Sequence, residues 1–206
     1  MFPVQIINSN ELSIYSMEIH ANELEIYKNR CTSIELEKAG SIHHPTKALE
    51  YLASRALKNS IFPEKEFSFD DTGAPYIQGE GFLSISHNQR YVVLIHSKEF
   101  KVGIDIECIR EKASLVSARF CSDEESAQFD RNSAQEMSLL WSFKETLYKL
   151  SDRVGLDLLK DIKVTRSENK ILGSVAYVNS IHRFELDYIK QNDNYITFNI
   201  TKGSVL

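Results

Sequence analysis

The sequence predicts an α+β fold of two similar, pseudo-repeated halves, and three observations lead there. Two segments carry the periodicity of long, core-facing helices. Each is preceded by a capping-box helix start and followed by a run of strand-like segments. The order strand, short helix, long helix, strands then occurs twice, with a period of about 90 residues.

The first long helix follows Pro45, a residue suited to a first helical turn because its missing N–H has no intrahelical partner there. Leu49, Leu52, Ala53, Ala56 and Leu57 repeat at the i, i+3, i+4, i+7, i+8 spacing of one buried face. The second long helix covers 135–150, with the stripe Leu140, Phe143, Leu147 and Leu150. Thr32-Ser33-Ile34-Glu35 and Ser122-Asp123-Glu124-Glu125 both fit the S/T-x-x-E capping box, and each follows a cysteine, Cys31 or Cys121. Strand-like segments follow at 66–69, 76–77, 82–86 and 91–96, and again at 162–165, 171–177, 184–189 and 195–200. The turn signals between them are Asp71-Thr72-Gly73, His87-Asn88-Gln89 and Gln191-Asn192-Asp193-Asn194. No linker separates the halves, which divide near Phe100 into residues 1–100 and 101–206. Identity between the halves is weak, and many α+β chains alternate in this way without duplication.

Composition bounds the function. The 206 residues are 42% hydrophobic and 26% charged, an ordinary globular profile able to bury its own core. Lys and Arg number 24 against 29 Asp and Glu, and the net charge of −5 with no basic block argues against general nucleic-acid binding. Three cysteines without metal-ligand or redox spacing suit reduced thiols in a cytoplasmic protein. Met1-Phe2-Pro3-Val4-Gln5 lacks the basic region and apolar core of a signal peptide. The longest apolar stretches, such as 91–95, are far too short for a bilayer, so no membrane partner is expected.

Four segments carry candidate chemistry. In Val102-Gly103-Ile104-Asp105-Ile106-Glu107, strand alternation puts Ile104 and Ile106 on one face and Asp105 and Glu107 on the other. Two carboxylates one strand repeat apart can share a divalent cation, and oxygen ligands suit magnesium or manganese. An edge strand with a solvated acidic face is the other reading. In Trp141-Ser142-Phe143-Lys144-Glu145-Thr146-Leu147-Tyr148-Lys149, about 100° per residue turns Glu145 and Lys149 away from the apolar stripe. Glu145 could reach a metal and Lys149 a phosphate; a plain i, i+4 surface pair is the alternative, against which stands the bulk of Trp141 and Tyr148 alongside. In Phe82-Leu83-Ser84-Ile85-Ser86-His87-Asn88, His87 stands where a strand enters a turn and can donate to a phosphate or ribose oxygen, or be merely structural. Asp71-Thr72-Gly73-Ala74-Pro75-Tyr76 is a tight turn whose backbone can approach a ligand closely.

In combination and order, a G-x-P turn, an S-I-S-H hairpin, G-I-D-I-E and W-S-x-K-E-x-x-x-K resemble the Sfp-type 4'-phosphopantetheinyl transferases. The motifs span Asp71 to Lys149, and the doubled organisation extends the likeness over most of the chain. The resemblance implies two α+β halves, each a helix packed on a small antiparallel sheet, with the active site between them. It implies transfer of the phosphopantetheine arm of coenzyme A to a serine of an apo acyl or peptidyl carrier protein, with magnesium as cofactor and 3',5'-ADP released. Asp105, Glu107 and Glu145 would be the magnesium ligands, and Glu145 the best candidate for general base. Lys149 would contact the coenzyme A phosphates, with Lys144 assisting in orientation. Ser86 and His87 match the residues at the 3'-phosphate, and Gly73 and Pro75 the turn near the adenine. Lys47 and Arg55 align loosely with basic residues around the first long helix. Arg110, Lys112 and Arg119 are candidates for meeting an acidic carrier, or an ordinary solvated stretch. A fused two-half chain would supply both sides of the site, so a monomer is expected. One departure concerns coenzyme A affinity: Ala74 stands where the family turn has lysine. The competing reading is a non-catalytic relative that binds coenzyme A or carrier proteins.

Overall fold

The computed structural model describes residues 3–63, 65–71, 73–151 and 155–205. The first half opens with strands β1 (Val4–Asn8) and β2 (Ser13–Glu18), followed by helices α1 (Leu24–Lys28), α2 (Ser33–Gly40) and α3 (Pro45–Ile61). Strands β3 (Ser68–Phe69), β4 (Pro75–Tyr76), β5 (Phe82–His87) and β6 (Tyr91–Ser97) complete it. The second half has β7 (Ile104–Cys108), α4 (Glu111–Leu115), α5 (Asp123–Ser126), α6 (Ala134–Leu150), β8 (Ile162–Ser167), β9 (Lys170–Tyr177), β10 (Ser180–Gln191), β11 (Asn194–Asn199) and β12 (Ser204–Val205). Each half is thus a set of helices on an antiparallel sheet, in the orders β1-β2-β6-β5-β4-β3 and β7-β11-β10-β9-β8, with β12 added to β10.

Both predicted long helices form, and both predicted capping boxes close. Thr32 accepts from the Glu35 N–H while Glu35 accepts from the Thr32 N–H, and Ser122 and Glu125 do the same. Reciprocal capping satisfies two donors that a helix start leaves open, which fixes where α2 and α5 begin. The strand before Asp70 starts later than the sequence predicts: Phe67 turns its ring toward Arg55, and only Ser68 and Phe69 pair with β4. The second and third predicted turns fall between β5 and β6 and between β10 and β11, where Asn192 takes the left-handed conformation (φ 53°). Thr72 of the first turn lies outside the described residues; Gly73 there has φ 78°, and its N–H donates to the Asp70 carbonyl.

Three apolar clusters hold the molecule. Leu52, Ala53, Ala56 and Leu57 of α3 pack on Leu83, Val92 and Leu94 of the first sheet. Leu140, Phe143, Leu147 and Leu150 of α6 pack on Ile162, Val164, Val175 and Leu186 of the second. Between the sheets, Ile14, Tyr91, Val93 and Ile95 meet Ile104, Ile106, Ile196 and Phe198. Strand β6 therefore sends alternate side chains into two different cores, which explains why it reads as an unbroken apolar run. At the seam, Asn88 Nδ2 donates to Asn194 Oδ1 at 2.8 Å and Asn192 Nδ2 to the Tyr91 hydroxyl at 2.8 Å. Among the described residues no helix is long and apolar enough to cross a membrane.

Candidate active site

The alternation of β7 divides its residues between two jobs. Ile104 and Ile106 enter the core between the sheets, and Asp105 faces α6. Helix α6 comes unusually near here. A Cβ on Gly103 would stand 2.7 Å from the Thr146 carbonyl and 2.9 Å from Leu150 Cγ, so the strand passes under the helix only because this residue has no side chain.

Asp105 is the centre of the arrangement and is buried. Its Oδ1 accepts from the Ser86 hydroxyl at 2.9 Å and from Lys149 Nζ at 2.9 Å. Its Oδ2 accepts from the Ser142 hydroxyl at 2.9 Å. Lys149 also donates to the Ile104 carbonyl at 2.8 Å. Ser86 comes from β5 of the first half, Asp105 from β7 and the other two from α6, so this carboxylate ties the halves together. Two residues on, Glu107 is partly buried and paired with Arg110. Burial pushes its carboxyl above the usual range; the Asp105 charge adds to this and Arg110 opposes it. Glu145, half-buried, lies one helical turn before Lys149 and three residues after Ser142, beside the face that meets Asp105.

The three expected metal ligands are not gathered into a ready-made cage. Among the described residues there is no group of three or more His, Cys, Asp or Glu side chains close enough to hold a metal ion. Asp105 is engaged with Lys149 and two serines, and Glu107 with Arg110. The donor chemistry nevertheless fits a hard divalent cation. Asp105 and Glu107 are carboxylates on successive turns of the strand pleat, and the raised Glu107 carboxyl is what a neighbouring cation would bring back down.

The other expected residues separate into two groups. Near Asp105 and Lys149 runs a cleft of about 410 Å³, lined by Ala74, Pro75, Tyr76, Ser84, Lys101 and Lys149. Pro75 and the turn of Gly73 therefore border the same space as Lys149. His87 closes β5 and faces Glu50 of α3, with its Nδ1 3.4 Å from Glu50 Oε2; Lys47 Nζ lies 2.7 Å from the same oxygen. Burial holds the His87 imidazole below the usual histidine value, with Lys47, Lys149 and Arg55 acting in the same direction and Glu50 against them.

Arg55 and Lys144 are placed otherwise than expected. The Arg55 guanidinium lies 4.6 Å from the Tyr51 ring centroid and 4.7 Å from that of Phe67, stacked within the first half. Lys144 is fully buried, and its ammonium donates to Glu125 and to the Leu158 and Ile162 carbonyls, each at 2.8 Å. Neighbours on a helix point about 100° apart, so Lys144 does not share the direction of Glu145. Lys144 faces the core of its own half and holds α6 to α5.

Sequence reasoning missed Ser142, Thr146 and Thr197. The Thr146 hydroxyl lies 2.7 Å from that of Thr197, which lies 2.9 Å from that of Ser142. The signal was available: Ser142, Thr146 and Lys149 stand at i, i+4, i+7, a polar stripe on a helix otherwise rich in buried apolar residues. Beyond Glu107 opens a hollow of about 370 Å³, floored by Val116, Phe120 and Trp141 and rimmed by Arg110, Lys112 and Arg119.

Residues 101–197 match the family model of the 4'-phosphopantetheinyl transferase superfamily. The matched segment contains β7, α6 and most of the second sheet. No curated protein matches the chain.

Proposed function

We propose that this chain, with its 4'-phosphopantetheinyl transferase domain, is an Sfp-type enzyme. It moves the phosphopantetheine arm of coenzyme A onto a serine of an apo carrier protein, using magnesium, in the manner of a holo-[acyl-carrier-protein] synthase. The observation that carries this reading is the convergence of Ser86 of the first half and Ser142 and Lys149 of the matched segment on Asp105, at the seam of two halves. A site that draws residues from both halves supports a single chain that acts as a monomer.

In this reading the carrier serine oxygen attacks the β-phosphorus of the coenzyme A pyrophosphate. A new P–O bond forms, the bond to the bridging oxygen breaks, and 3',5'-ADP leaves. Magnesium held by Asp105, Glu107 and Glu145 would supply charge neutralisation at the phosphate oxygens. Lys149 would set its ammonium against the same oxygens, and its bond to Asp105 already aims it at that end of the cleft. Glu145 would take up the proton of the carrier serine. Ser86 and Ser142 hold the Asp105 carboxylate in one orientation, so little reorganisation accompanies reaction. Lys101 lines the same cleft as Ala74, which stands where the family turn has a lysine. The basic rim of Arg110, Lys112 and Arg119 around an apolar floor suits an acidic carrier with an apolar contact face.

The test is intact-mass spectrometry of apo acyl and peptidyl carrier proteins incubated with the protein, coenzyme A and magnesium. The expected result is a gain of one phosphopantetheine group on at least one carrier, lost in Glu145→Gln. Coenzyme A binding with no gain on any carrier would overturn the transferase reading in favour of a binding protein.

A further inference from the structure

Seven charged side chains are buried in the described structure: Glu35, Glu50, Arg55, Lys58, Asp105, Glu125 and Lys144. Glu35 and Glu125 close capping boxes and meet Lys58 and Lys144, Arg55 is stacked on rings, and Asp105 centres the site. Glu50 has none of these duties. It lies in the first turns of α3, 1% exposed, and its Oε2 faces Lys47 and His87. Lys47 does not account for its burial, because that side chain is 63% exposed and an ion pair with so solvated a partner gains little. His87 does, since it reaches Glu50 from another element, β5, and is less exposed than Lys47.

The surroundings of His87 give the pair a purpose. Lys47 and Arg55 on α3 and Lys149 on α6 all act on the imidazole as positive charges, and Glu50 is the acid that answers them. A half-buried imidazole among three cations would be neutral and unconstrained in tautomer and ring orientation. A carboxylate at Nδ1 fixes the orientation, turning the opposite ring edge away from α3, and favours the imidazolium that an anionic phosphate also favours, in which both nitrogens carry protons.

We propose that Glu50 is a positioning residue: it holds the His87 ring by Nδ1 and supports its doubly protonated form, so that Nε2–H is presented as a donor to a phosphate oxygen of the bound nucleotide. This rests on the transferase reading for the identity of the ligand, but not for the Glu50–His87 coupling itself. Glu50 acts through His87 and touches neither substrate nor the reacting atoms.

The experiment has two arms on the full chain. NMR titration of the imidazoles, with His87→Gln to assign the signal, reads the coupling without substrate. Glu50→Gln, which keeps the side-chain shape, is expected to lower the His87 midpoint, and Glu50→Asp to restore part of it. Steady-state kinetics then separate positioning from folding. Glu50→Gln is expected to raise KM for coenzyme A about tenfold with kcat little changed, the loss expected of one charge-assisted hydrogen bond. That rise should vanish in the His87→Gln background. An unmoved His87 midpoint, or an effect of Glu50→Gln equally large with and without His87, overturns the proposal. Should the wild-type protein transfer nothing, the titration still decides the coupling, and binding of adenosine 3',5'-bisphosphate to Glu50→Gln replaces the kinetic arm.

Discussion

The two halves solve the same packing problem with the same parts, and they differ in how fully they solve it. Each buries a lysine of its long helix completely, Lys58 on α3 and Lys144 on α6, and each sets it against the glutamate of the capping box that precedes the helix. In the second half the arrangement is complete. Lys144 stands 2.8 Å from Glu125 and from two carbonyls, which matches the three donors of an ammonium. In the first half Lys58 Nζ donates to one carbonyl, that of Lys65, and is 3.3 Å from Glu35, whose side chain keeps 11% exposure and also accepts from Asn59 and the Thr32 N–H. The lysines do not occupy equivalent helical positions. The capping boxes lie 90 positions apart (122 − 32) and the lysines 86 (144 − 58), so the shared feature is the job rather than the register. The difference teaches which long helix is held more firmly. The tightly held helix is the one whose opposite side carries Ser142, Lys149 and Glu145.

Breaking each pair should expose that asymmetry. Lys144→Met leaves Glu125 and two carbonyls buried without their donor, and should cost about 3–5 kcal/mol, the usual consequence of orphaning one member of a buried pair. Lys58→Met should cost less, about 1–3 kcal/mol, because Glu35 keeps two other donors and some water. Urea unfolding of both variants gives the ranking, and equal losses would mean the halves are held alike.

The seating of α6 can be sharpened from the strand side. Gly103→Ala places a methyl against the Thr146 carbonyl, which cannot yield as a side chain can, and should destabilise by about 1–3 kcal/mol. Because α6 must lift, transfer should fall further than the loss of folded protein explains. Thermal melting beside the mass assay separates the two.

The smallest effect is a pH dependence specific to the first pair. Burial alone would raise the Glu35 carboxyl, but the Thr32 N–H, Asn59 and Lys58 outweigh it and hold it below its ordinary value of 4.5. A carboxyl lowered on folding adds stability that is present above the unfolded value and is lost as pH falls through the folded one. Stability should therefore decline below about pH 4.5, and Glu35→Gln should flatten that part of the profile. Urea midpoints between pH 3 and 6 check the slope.

Much of this was legible in the sequence, and the reasons are local. The capping boxes, the Pro45 start and the stripes of α3 and α6 are short-range patterns in which backbone chemistry and burial agree. The alternation of Ile104 and Ile106 against Asp105 also reads correctly, because a strand has only two faces. What the sequence did not reveal depends on distant partners. Nothing near Lys144 in sequence announces Glu125, Leu158 and Ile162 as its acceptors. Ser142 looks like filler until Asp105 is placed opposite it, and Glu50 looks like a surface acid until β5 brings His87 over it. Strand alternation and the motif join Asp105 to Glu107, and the motif adds Glu145, whereas in the fold Asp105 answers to Lys149 and two serines and Glu107 to Arg110.

The central claim is that Asp105, held from both halves, is the reaction centre of a transferase. Asp105→Asn tests it most directly, because the amide keeps the shape of the carboxylate and can still accept from Ser86, Ser142 or Lys149. The measurement is the rate of mass gain on an apo carrier protein with coenzyme A and magnesium, for wild type and variant at matched folded concentration. The account predicts a loss of about 10²–10³ in rate with the variant still folded. An Asp105→Asn protein that transfers at the wild-type rate would contradict it.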